Sequence, residues 1–101
     1  MNNIEWLAVW YKQNCDGQWE HSYGIKIETL DNPGWSVSID LHETKFSNLS
    51  MPELSKNKGD EGWIVCSIKN ERFEGFGDGL KLNEIIGVFR DCIRCKFPSR
   101  K

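Results

Sequence analysis

The hydrophobic period changes twice along this chain, from helical to alternating and back to helical, and that order constrains the fold more than any other feature. Near the start, Ile4, Leu7, Ala8 and Tyr11 recur at helical spacing, flanked by Trp6 and Trp10, with Asn2 or Asn3 as a cap and Asp16-Gly17 as a breaker. So wide a stripe predicts a helix to about Cys15 that packs on something broad, most simply a sheet. Near the other end, Leu82, Ile85, Ile86, Phe89 and Ile93 repeat at helical spacing after Gly77-Asp78-Gly79, which predicts a second helix.

Between the helices the period is two. Tyr23, Ile25, Ile27 and Thr29 alternate with smaller or charged residues, as do Trp35, Val37, Ile39 and Leu41. Asp31-Asn32-Pro33-Gly34 between them has Pro and Gly in the order of a type II turn, so the pair reads as a hairpin. Residues 42–61 are polar, and a short extra strand near 43–48 is expected there because a structureless loop of that length is uncommon. Trp63 to Ile68 is apolar on both faces and reads as a central strand, followed after Lys69-Asn70-Glu71 by a strand from Arg72 to Phe76. No βαβ alternation occurs. The expectation is an α+β fold, with an antiparallel sheet of four to five strands carrying an N-terminal and a C-terminal helix on one face. At 101 residues, one domain spanning 1–101 is expected.

Five Trp, five Phe and two Tyr provide a large apolar payload for that core, which argues against a disordered tail or linker. Trp6 or Trp10 belongs with the first helix and Trp63 with a central strand. Trp19 and Trp35 flank a connector and a turn, where folding explains them less well, so they are candidate recognition residues.

The start, MNNIEWLAVWYKQNC, has no cationic n-region, and its apolar run is too short to cross a bilayer, so a cytoplasmic chain with Cys15, Cys66, Cys92 and Cys95 reduced is expected. The net charge of −2 hides an asymmetry. Residues 1–43 carry seven acids and two bases, whereas residues 44–101 carry eight acids and eleven bases, several of them in a basic tail over 94–101 that includes Arg94, Arg100 and Lys101. That tail with Phe97 reads as a solvated end, and the net charge speaks against nucleic-acid binding.

Catalytic patterns are weak. Cys92-x-x-Cys95 is half of a zinc site, but Cys15, Cys66, His21 and His42 lack paired metal spacing, and neither metal nor cofactor is expected. Gly75-Phe76-Gly77-Asp78-Gly79 lacks the third dinucleotide glycine, and Lys81 is followed by Leu82 instead of Ser or Thr, so turn formation and helix entry account for these glycines. The densest polar cluster is Cys15-Asp16-Gly17-Gln18-Trp19-Glu20-His21-Ser22-Tyr23. It allows a small metal-dependent hydrolase using His21 with Glu20 or Asp16, although neighbouring extended residues face opposite ways. It equally allows a connector pinning the first helix to the first strand, with Trp19 buried and Asp16 capping, or a binding surface.

The series Trp6-Leu7, Trp10-Tyr11, Cys15-Asp16-Gly17-x-Trp19-Glu20-His21-x-Tyr23-Gly24 and Thr29-Leu30-Asp31-Asn32-Pro33-Gly34-Trp35 resembles the bacterial immunity-protein family numbered 53. Trp63 with Cys66, Phe73-Glu74-Gly75 and a last helix with Leu82 and Phe89 extend the likeness over about residues 4–93. The resemblance implies a cytoplasmic, non-enzymatic α+β protein that binds and neutralises a cognate polymorphic toxin. An inhibitor of a basic, nuclease-like toxin needs negative potential for fast capture and rigid aromatic anchors. Asp16, Trp19, Glu20, His21, Tyr23, Asp31, Asn32, Trp35 and Asp40 are the residues expected to form such a surface. A generic interaction domain is the remaining alternative, and the oligomeric state is open, since an exposed edge strand can pair with a second copy or with the partner.

Overall fold

Asn2 starts the first helix in the computed structural model, which describes residues 1–96. Its side chain accepts from Glu5 N at 2.8 Å while the Glu5 carboxylate accepts from Asn2 N at 3.2 Å, a reciprocal cap that satisfies two otherwise unpaired donors of α1, Asn3–Asn14. A single turn, α2, covers Trp19–Ser22. Five strands follow, β1 (Ile25–Leu30), β2 (Gly34–Asp40), β3 (Met51–Asn57), β4 (Trp63–Lys69) and β5 (Arg72–Asp78), and α3 (Leu82–Lys96) closes the described chain. All neighbouring strands are antiparallel in the order β1-β2-β5-β4-β3, so the fold is α+β as expected. Phe97, Arg100 and Lys101 of the basic tail lie outside the described residues.

Register sorts the side chains onto two faces. On the helix side, Ile25, Ile39, Phe73 and Ile68 form one row, and Ile27, Val37, Gly75, Cys66 and Leu54 the next. The other face, which no helix covers among the described residues, has a row of Glu28, Ser36, Phe76, Val65 and Ser55 beside a row with Lys26, Ser38, Glu74 and Ser67. Serines suit this solvated face of an antiparallel sheet. Trp63 alternates with the buried Ile64 and so belongs to this open side, not to the core where it was expected.

Glycines bring α3 onto the sheet. A Cβ on Gly75 would lie 2.5 Å from Ile85 Cγ2, and one on Gly77 2.9 Å from Ile85 Cδ1. Both glycines sit inside β5, which runs to Asp78, two residues beyond its expected end at Phe76, and they serve helix–sheet approach instead of a turn. Phe89 of α3 then packs at a tilt on Phe73, with centroids 5.0 Å apart. Burial pushes the Cys66 thiol up to about 11, so that sulfur behaves as a small hydrophobe.

Three further expectations change. The buried side of α1 is Leu7 and Trp10 with Trp6 beside them, whereas Ile4 and Tyr11 are exposed. The reason is its partner: α1 lies against α3, with Trp10 edge-on to Phe89 at 5.0 Å and Arg90 bonding Met1 O and Asn3 Oδ1 while covering the Trp6 ring. The extra strand is β3 at 51–57, while residues 43–48 form turns that deliver Phe46 and Leu49 to the core. The first hairpin stands, but its turn is not type II, because Gly34 lacks the positive φ such a turn demands. A Cβ there would lie 2.5 Å from the Gly77 carbonyl oxygen, so glycine is needed for strand contact.

Candidate functional site

The acidic connector folds upon itself. Leaving α1, the chain turns at Gly17 (φ +93°), and the Asp16 carboxylate accepts from Gln18 N and Trp19 N, both at 2.9 Å. Glu20 points back and accepts from Asp16 N at 2.8 Å and Gly17 N at 2.7 Å. The Trp19 and Gln18 N–H groups hold Asp16 below its ordinary pKa. Backbone N–H groups, its own first and then those of Asp16 and Gly17, do the same for Glu20 against a desolvation that raises it. Both charges persist while both carboxylates serve the turn.

Trp19 is fully buried, so it is a core residue and presents no surface to a partner. Its ring meets Trp10 at 5.8 Å and Tyr11 at 5.7 Å, and its indole N–H donates to the Asp40 carbonyl at 3.2 Å. The connector thus pins α1 to the end of β2, one of the three readings its sequence allowed. His21 and Tyr23 remain exposed beside it.

At that end of the sheet stands a cluster that spacing alone did not single out. The His42 ring stacks on Tyr23, with centroids 5.1 Å apart and planes 9° apart. Its Nδ1 donates to Asp40 Oδ1, and His42 N donates to the same oxygen at 3.1 Å. Arg72 Nη2 approaches Asp40 Oδ2 at 3.5 Å, and Glu71 Oε1 lies 3.9 Å from His42 Nε2. The signal available was Asp40-x-His42: residues two apart on an extended segment share a side. Glu71 and Arg72 come from a distant hairpin and carry no such signal.

Backbone strain surrounds this cluster. Glu43, Asn70 and Glu71 have φ of 63°, 54° and 61°, and each such conformation costs a non-glycine residue roughly 1–2 kcal/mol. Asn70-Glu71 gives the primed turn that matches strand twist, with Glu where Gly is usual. Strained residues beside paired charges mark a site candidate.

Desolvation of the Asp40 carboxyl raises its pKa, but the His42 ring and backbone hydrogen bonds together with Arg72 outweigh this and hold it low. The same hydrogen bond, donated to Asp40, raises His42, against desolvation. The signs give a window. Asp40 stabilises above the ordinary aspartate value and loses that contribution as pH falls through its lowered one; His42 stabilises fully below about 6.5 and loses it as pH rises through its raised value. The stability advantage of the native chain over His42→Asn, read from urea melts, is therefore expected to be larger at pH 6 than at pH 8. An advantage independent of pH would exclude His42 titration as its source.

The expected surface divides. Asp16, Glu20, His21, Tyr23 and the buried Asp40 gather at this end, whereas Asp31, Asn32 and Trp35 sit at the far end of the hairpin, about 20 Å along β1. Trp35 is half-buried there, its indole N–H donating to Gly79 O at 2.9 Å. Asp16 and Glu43 also stand on the lip of an open groove of about 1560 Å³ walled in part by Trp6 and Phe46. Among the described residues no group of three or more His, Cys, Asp and Glu is placed to hold a metal ion, and no helix is long and apolar enough to cross a membrane.

The family model described as immunity protein 53 matches residues 4–94. No curated protein and no solved structure gives a match.

Proposed function

Since this chain belongs to the immunity protein 53 family, we propose that it is a cytoplasmic, non-enzymatic inhibitor that binds and neutralises a cognate toxin by stoichiometric protein–protein contact. The docking surface in this reading is the acidic, aromatic end of the sheet, made of Asp16, Glu20, His21 and Tyr23 with His42, Glu43 and Glu71. The observation that carries it is the Tyr23–His42 stack standing among carboxylates already fixed by backbone N–H groups. A rigid ring loses little entropy on binding, and a fixed negative field accelerates capture of a basic partner such as a nuclease. The hydrolase alternative is weaker, because the Glu20 carboxylate is engaged with Asp16 N and Gly17 N.

A toxin encoded beside the gene, as membership of an immunity-protein family leads one to expect, is the partner to use. Failure of the native chain to bind it or to protect cells expressing it would overturn the function. Tyr23→Ala is expected to raise Kd about 30-fold, a typical hot-spot loss. Asp16→Asn keeps an oxygen for the cap while removing charge, and should slow association and flatten its salt dependence. If both variants bind like the native chain while Phe76→Ala on the open face weakens binding, the interface lies on that face instead.

A further inference from the structure

The two edges of the sheet are unlike. β3 carries Pro52, a register shift between Met51 and Leu54, and Lys56, devices that discourage pairing with another strand. β1 has neither a proline nor a register shift, and its one lysine, Lys26, stands two residues from Glu28 on the same face. Its sequence Ile-Lys-Ile-Glu-Thr-Leu pairs residue for residue with β2 from Ile25↔Ile39 to Leu30↔Gly34, and its outer row of N–H and C=O groups has no strand beside it among the described residues. Lys26, Glu28 and Thr29 are exposed, and Ile27 stays 39% exposed on the helix side.

Charge selects the strand that fits this edge. A two-fold axis perpendicular to the sheet lays a second β1 antiparallel on the first, and opposite residues must then share a face. Centring on Lys26 sets lysine against lysine, and centring on Glu28 sets glutamate against glutamate. Centring on Ile27 sets Lys26 against Glu28 twice, Ile27 against itself and Ile25 against Thr29. Of these three registers this one alone pairs opposite charges and opposes no like ones, and cross-strand pairs of that kind stabilise sheets.

We propose that β1 is a homodimerisation edge, joining two copies in the register centred on Ile27 into a continuous ten-stranded sheet. The inference does not depend on the toxin. One consequence bears on it: the same register brings the Asp31–Pro33 turn of one copy beside Tyr23 of the other, so the two halves of the acidic patch, separated within one chain, meet across the pair.

The contact is small, so a dimer with Kd on the order of 10 µM is expected by sedimentation velocity of the full chain. K26E and E28K each convert both attractive pairs into repulsive ones, and each should raise that Kd about tenfold or more. Their neighbours on β2 are Ser38 and Ser36, so both variants should fold, which far-UV circular dichroism checks. Mixing the two variants in equal amounts is expected to restore dimers, because an all-acidic pair of positions then faces an all-basic one. A native chain that stays monomeric at several hundred micromolar overturns the proposal, as does a dimer indifferent to both changes. A monomer whose toxin affinity falls in K26E overturns it too, and assigns the edge to the toxin.

Discussion

Trp19→Ala is expected to lower the stability of this protein by about 3–5 kcal/mol, because it empties a fully buried aromatic site that a four-residue turn cannot close. For a domain of this size that is a fall in Tm of roughly 12 °C or more, a large fraction of the usual total stability. The loss has two parts. The ring packs against Trp10 and Tyr11, and its N–H satisfies the Asp40 carbonyl, which sits beside the His42 cluster. Trp19→Phe retains most of the packing and removes only the donor, so it should cost much less. Thermal melts of the two variants separate the contributions. Unchanged Tm in Trp19→Ala would mean that the connector is not held by this ring, and the assignment of Trp19 to the core would fail.

That assignment also shows what the residue pattern could and could not carry. A short run apolar on both faces marked β4 and the turn before it marked β5, whereas strict alternation located β1 and β2, because a period of two with one buried face leaves little freedom in register. The five apolar positions of α3 located the last helix for the same reason. α1 is apolar on several sides, so its pattern defined a helix without defining the buried face; Trp6 and Trp10 won that face over Ile4 and Tyr11 through contact with Phe89 and Arg90. β3 escaped because an edge strand needs few apolar residues, and Pro52 lowers its strand signal further. Of the site, the capping role of Asp16 was readable from an Asp before a short turn. The charge cluster on Asp40 was only half readable, since Arg72 and Glu71 reach it through strand order, and strand order is a property of the whole sheet.

Gly75 and Ile85 provide the second large effect, and here two substitutions should partly cancel. In Gly75→Ala the new methyl meets Ile85 Cγ2 at 2.5 Å and the Phe73 ring at 3.2 Å, so α3 or β5 has to move, at a cost of about 1–3 kcal/mol. Ile85 is itself fully buried, and Ile85→Ala alone should cost about 2–5 kcal/mol through the cavity it leaves. In the double variant the added methyl enters space that the isoleucine has vacated. The combined loss should therefore fall short of the sum by about 1 kcal/mol or more, as coupled neighbours do. Urea unfolding of the four proteins closes the cycle. Losses that add to within about 0.5 kcal/mol would show that the Ile85 side chain is not what requires glycine at position 75, and that the close seating of α3 on β5 has another cause.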